Sequence, residues 1–176
     1  NAKDEIYFRN GASTENPLGH GWQKVDGGLK YVSVGADGRV WGCNAKDEIY
    51  YRNGLQGKWQ KIDGLLKNLT VMHNNSVIGT NKNDDLYIRE GVTADKPTGT
   101  SWKKLDKSFS HMSASNHGFF GVQKDSDIYW KPLGKGSWSK ISGGLKQIDI
   151  GCQGHVWGVN KKDEIYYLKS GVHLSN

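Results

Sequence analysis

The chain has 176 residues, no apolar run of 18 or more, and no basic segment leading into an apolar stretch at its start. Neither a transmembrane helix nor a signal peptide is therefore expected in this stretch. The formal net charge of +6 comes from lysines and arginines spread along the chain, with no block of like charge; it suits anionic partners no better than it suits solubility. Apolar residues are only 35%, yet seven Trp, eight Tyr and four Phe restore large buried area per residue. With 24 Gly, few Ala and few Glu, the composition points to an all-β protein.

In chain order, the first predicted strand carries Asp4-Glu5-Ile6-Tyr7, and the next begins at Trp22. Four strands then follow, A over 30–35, B over 39–43, C over 48–52 and D over 59–63. The same four recur from Lys67, from Ser110 and, without D, from Lys146. That is C-D, three sets of A-B-C-D and a last A-B-C, 17 strands in all. Asp37-Gly38, Asn74-Asn75 and Gln153-Gly154 supply tight A–B turns, and Asn/Asp-rich segments make the B–C turns. In the third full set the A–B turn, Ser115-Asn116-His117-Gly118, is one residue short.

Equivalent starts at Asn1, Asn44, Asn81, Gln123 and Asn160 give spacings of 43, 37, 42 and 37 residues. The repeats run over 1–43, 44–80, 81–122, 123–159 and, in part, 160–176, within a single domain of 1–176. Four antiparallel strands per repeat of about 40 residues, apolar on both faces, describe the blade of a β-propeller. The alternation of long and short repeats favours an even total of blades, six in the complete protein.

Trp22, Trp59, Trp102 and Trp138 are each followed by a polar residue, then Lys and a branched apolar residue. They stand in register with Gly-Gly-Leu-Lys, Val-Trp-Gly-Val-Asn and Asp-Glu-Ile-Tyr. In that combination the chain resembles the tectonin-repeat proteins, in particular the fish-egg lectin and tachylectin group, over essentially its whole length. The resemblance implies a six-bladed, secreted propeller that binds sugars of microbial or egg-surface glycoconjugates in innate defence, with lipopolysaccharide or N-acetylglucosamine-type sugars as partners. It implies neither nucleic-acid binding nor membrane insertion, and leaves oligomerisation open. The alternative is a protein-interaction or phosphoinositide-binding propeller module of a larger protein.

Catalysis has little support. The six histidines show no His-Glu-x-x-His spacing, and no Gly-x-Ser-x-Gly elbow or phosphate-binding loop occurs. The acid pairs recur in every repeat, whereas a catalytic pair is normally unique. Asp125-Ser-Asp127 hints at calcium but lacks the further oxygen ligands and closing Glu of a calcium loop, so no cofactor is expected and calcium is left as an alternative without a clear motif. Cys43 and Cys152 lie three repeats apart, and no bridge between them is expected.

Sugar recognition needs an aromatic face and hydrogen-bonding side chains. The B–C turns and D–A links share the end that repeats most faithfully. The candidate ligand residues are therefore Asn44, Asp47, Asn81, Asp84, Asn160 and Asp163 of the turns, with Trp41 and Trp157 as stacking faces. Turn capping and blade packing are the competing uses of the same residues. Of two glycosylation triplets, the one at Asn68 is expected to be inaccessible and the one at Asn74 exposed.

Overall fold

The computed structural model describes residues 1–168; the end of the partial repeat, 169–176, lies outside the described residues. The described chain is all β. Its strands are β1 Glu5–Arg9, β2 Trp22–Gly28, β3 Tyr31–Val34, β4 Val40–Cys43, β5 Glu48–Arg52 and β6 Gln60–Leu65. They continue as β7 Asn68–Val71, β8 Val77–Thr80, β9 Asp85–Glu90, β10 Ser101–Ser108, β11 His111–Ser115 and β12 Gly118–Val122. The last are β13 Ile128–Pro132, β14 Ser139–Ile141, β15 Gln147–Ile150, β16 Val156–Val159 and β17 Ile165–Tyr167.

Three sheets hold four consecutive strands, β3 to β6, β7 to β10 and β11 to β14, each in chain order. They are flanked by a two-stranded sheet, β1-β2, and a three-stranded one, β15-β16-β17. All neighbours are antiparallel. The strand inventory is the one expected. A count of six blades finds no support in these sheets: they supply four inner strands, β3, β7, β11 and β15, and the remaining sheet holds only C and D. The inner strands stand side by side in that order.

The core lies between sheets. One layer joins Trp41, Ile49, Tyr51 and Ile62 of the first full blade to Leu69, Val71 and Val77 of the second. The next joins Ile78 and Leu86 to Phe109, Met112 and Phe119; the third joins Phe120, Val122 and Ile128 to Ile148, Ile150 and Val156. Each inner blade thus needs apolar side chains on both faces, which is why the strands do not alternate apolar with polar.

The glycine of the Val-Trp-Gly strand has a packing cause. A Cβ on Gly42 would meet Leu29 Cδ1 at 2.6 Å, and on Gly79, Gly121 and Gly158 it would meet Leu66, Phe109 and Leu145 at 2.7, 2.4 and 2.4 Å. The bare backbone makes room for the apolar residue of the D–A link, which closes the inter-blade layer.

Two of the repeated tryptophans, Trp59 and Trp102, clamp their blade to the sheet before it. Trp59 Nε1 donates to the Asp26 carbonyl and Trp102 Nε1 to the Asp63 carbonyl, each at 2.7 Å. Arg52 and Arg89, buried at 7% and 6% exposure, stack over these two rings and pair with Asp26 and Asp63. Arg89 Nη1 lies 2.8 Å from Asp63 Oδ1 in charge contact without hydrogen-bond alignment, while its Nε donates to the Thr98 carbonyl. Trp22, with Arg9 over it, has no earlier blade beside it among the described residues and is 64% exposed.

Candidate functional site

The B–C turn is built the same way wherever it begins with asparagine, at Asn1, Asn44, Asn81 and Asn160. Asn44 Oδ1 accepts from the backbone N–H of Lys46 and Glu48, both at 3.0 Å, an Asx turn that frees the next residues to reverse direction. Asp47 then takes a left-handed φ of 64°, and its carbonyl accepts from Leu66 N–H at 2.9 Å. Asn81 and Asp84, and Asn160 and Asp163, repeat the turn, with φ of 68° at Asp84 and 66° at Asp163. The carboxylates of Asp47, Asp84 and Asp163 are held by Lys30, Lys67 and Lys146 at the start of each A strand.

A second network runs outward from the same turn. Asn44 Nδ2 donates to Glu48 at 2.7 Å, Tyr50 Oη donates to Glu48 at 3.4 Å, and Lys61 pairs with Glu48 at 2.5 Å. Lys61, then Asn44, holds the Glu48 carboxyl down at about 2. Lys24 and Asn1 do the same for Glu5, also about 2, and Lys104 and Asn81 lower Asp85. Asn160, Glu164 and Tyr166 repeat the arrangement at 2.7 and 3.1 Å.

Between these turns and the preceding D–A link lie three equivalent pockets. Gly27, Gly28, Leu29, Asn44, Tyr50 and Trp59 line the first, about 200 Å³ in volume. Gly64, Leu65, Leu66, Asn81, Tyr87 and Trp102 line the second, about 310 Å³. The third, about 330 Å³, is lined by Gly143, Gly144, Leu145, Trp157, Asn160 and Tyr166 among others. Each offers a tyrosine ring, a leucine of the D–A link and an asparagine amide, and Lys82 adds an ammonium group to the second.

The structure therefore brings Asn44, Asn81 and Asn160 to a pocket wall, with their Oδ1 atoms already engaged in the turn. Asp47, Asp84 and Asp163 line none of these three pockets and are held in ion pairs, Asp84 lining a separate hollow with Ser108 and Gln123. Trp157 lines the third pocket and is 53% exposed. Trp41 does not offer the stacking face expected of it: it is 1% exposed, packed edge-on against Tyr51 and Trp102 inside the inter-blade layer. Its strand pairs on both sides and is roofed by the next blade, which leaves the indole no route to solvent.

Besides Trp157, the aromatic residues that line equivalent walls of the pockets are Tyr50, Tyr87 and Tyr166, with Trp59 and Trp102. The signal for the tyrosines was the period-2 rule: Ile49 and Tyr51 are buried at 0% and 5%, so the residue between them faces the other way. The tryptophans serve packing and pocket together.

Among the described residues no group of three or more His, Cys, Asp or Glu could hold a metal ion. Asp125 Oδ1 accepts from Asp127 N–H at 3.1 Å and Asp127 pairs with Lys140 at 2.5 Å, so this segment is another capped turn. Both cysteines are free; burial pushes the Cys43 thiol up to about 11, and Cys152 is exposed. Asn68 is 6% exposed and bonded to Thr80, whereas Asn74 is exposed.

The tectonin domain family model matches residues 1–110 and 98–176. Tectonin-2 of Physarum polycephalum is 33% identical over 76 residues, a stretch that spans 42% of this chain and 21% of that protein. Among solved structures, YCF48 bound to a D1 peptide superposes with a TM-score of 0.54 at 14% identity, covering 94% of this chain and 59% of that one. Prp20p of Saccharomyces cerevisiae, studied for binding to Gsp1p and histones, gives 0.59 at 14% identity, covering 93% of this chain and 53% of that one. These likenesses show the propeller fold.

Proposed function

We propose, for a chain that belongs to the tectonin domain family, a multivalent carbohydrate-binding role exercised through the repeated inter-blade pockets. One observation carries the reading: three pockets at equivalent places each pair a tyrosine ring with an Asn and a Gly-containing link, and that Asn is bonded to an acid of its own turn. A pyranose has an apolar C–H face for the ring and hydroxyls for the rim. A single shallow pocket of this kind binds at about millimolar, near −4 kcal/mol. Several on one rigid body raise avidity on a glycan-bearing surface by roughly 10²–10⁴. Secretion and a part in innate defence belong to this reading, as does a complete six-bladed ring, which the alternating repeat lengths support.

The test is calorimetric titration with free N-acetylglucosamine beside binding to a polyvalent N-acetylglucosamine conjugate. Measurable weak binding of the first and much tighter binding of the second support the proposal. Tyr50→Ala and Tyr87→Ala each remove about 0.5–1.5 kcal/mol of stacking from one site. Absence of binding to both forms sinks it.

A protein-binding platform is the second reading. Two propellers of the same fold are described with a bound peptide and with protein partners, which supports it. Under that reading polyvalent sugar does not bind.

A further inference from the structure

The junction between the second and third full blades keeps the tyrosine and tryptophan, as Tyr129 and Trp138, but departs from its three counterparts in the link and the turn. Where the others have Gly27, Gly64 and Gly143, it has Lys107. Where they have Asn44, Asn81 and Asn160, it has Gln123. The Asp–Lys ion pair becomes Ser126 and Ser110, with Ser110 Oγ donating to the Val122 carbonyl at 2.9 Å instead.

Two of these changes bear on the tyrosine face that the other junctions leave open; the hollow that remains here, about 480 Å³, is lined by Asp84, Ser108, Ser110, Gln123, Lys124 and Asp125 and does not include Tyr129. Lys107 Nζ lies 3.7 Å from the centroid of the Tyr129 ring, the equivalent of Tyr50, Tyr87 and Tyr166. An ammonium over an aromatic face is attracted by the ring quadrupole. The C–H face of a sugar uses the same electron-rich surface. Gln123, one methylene longer than asparagine, reaches across the mouth and donates Nε2–H to the Ser108 carbonyl at 3.2 Å. In the open junctions the shorter asparagine amide turns back to the acid of its own turn.

We propose that Lys107 and Gln123 are built-in occupants that close a fourth pocket, so that the described residues present three open sugar sites and one silent one. The inference rests on the sugar-binding reading for its ligand and on this junction's own geometry for the closure. It makes Lys107 the residue that sets valency, and it means that the four tyrosines respond unequally to the same ligand.

The experiment is site-resolved NMR of the full chain. Ring-current shielding of the Lys107 ε-methylene protons, lost in Tyr129→Leu, is expected from the contact and needs no ligand; unshielded protons overturn the closure. On titration with N-acetylglucosamine, the ring signals of Tyr50, Tyr87 and Tyr166 should move and that of Tyr129 should not. In Lys107→Gly/Gln123→Asn, Tyr129 should join them, whereas Lys107→Leu/Gln123→Asn, which keeps the pocket filled without charge, should leave it silent. Movement of Tyr129 in the wild type, or its silence in the glycine double variant while the others respond, overturns the proposal. If no tyrosine moves in any variant while Lys107 remains shielded, the sugar reading and the valency fall and the closed junction stands.

Discussion

Gly64 shows how one residue type is dictated by a neighbour on another blade. Its φ is +91°, and a Cβ there would lie 3.1 Å from both Cδ1 and Nε1 of Trp102. Gly64→Ala combines left-handed strain with crowding of the indole that donates to Asp63. It should cost about 1–3 kcal/mol in urea unfolding and narrow the second pocket. His111 is the other residue with a separable consequence. It lies on the inner strand β11, its ring 6.5 Å from that of Tyr31, and both ring nitrogens are buried without a protein partner. Burial lowers its pKa from 6.5, against the opposing charge of Asp149 and with that of Lys67. The unfolded chain therefore takes up the proton first, and stability falls as pH drops through about 6.5. His111→Asn, which matches Asn68 in β7, should flatten this part of a melting-temperature profile.

At the scale of the element, the clamp formed by Arg89, Trp102 and Asp63 ties β9 and β10 to β6. Arg89→Ala removes a buried guanidinium that holds the Thr98 carbonyl and covers the indole, while its partner Asp63 stays solvated, and should destabilise by about 1–3 kcal/mol in denaturant titration. The strands themselves were legible because repetition averages out local ambiguity: one Glu-Ile-Tyr segment is uninformative, but three in register with the variants Asp85-Leu86-Tyr87 and Asp127-Ile128-Tyr129 are not. The limits moved where an edge is set by pairing. Trp59 and Trp138 stand one residue before their D strands, while Trp22 and Trp102 lie inside theirs, opposite Arg9 and Arg89. The site was half legible. The choice of end and of the turn asparagines came from their recurrence, but burial of Trp41 and exposure of Tyr50 follow from which face of a blade meets the next. A single strand's sequence does not contain that information when both faces are apolar.

At the scale of the whole molecule, the repeated acid networks make acid stability a collective property. Lys24 and Lys61 hold the carboxyls of Glu5 and Glu48 at about 2 against an ordinary 4.5, and Asp85 is also lowered. Folded pKa values below the unfolded ones mean stabilisation that is present above about 4.5 and is lost as pH falls toward 2. The melting temperature should decline through that window, and Glu48→Gln should lessen the decline without touching the one near neutrality. The pockets add a collective property of another kind. Removing one tyrosine face from a molecule with three open sites should reduce binding to a polyvalent surface by a larger factor than binding of the free sugar.

The tryptophan clamp also has a direction. The indoles of Trp59 and Trp102 each reach back to a carbonyl of the sheet made earlier in the chain. During synthesis, a sheet that has fully emerged from the ribosome still lacks the lid that closes its outer strand, because that lid lies near the end of the following repeat. Each unit is finished by its successor, and folding trails translation by one repeat. A ribosome stalled after Leu65 should hold a sheet β3 to β6 still open to protease along β6, and one stalled past Ser108 should protect it.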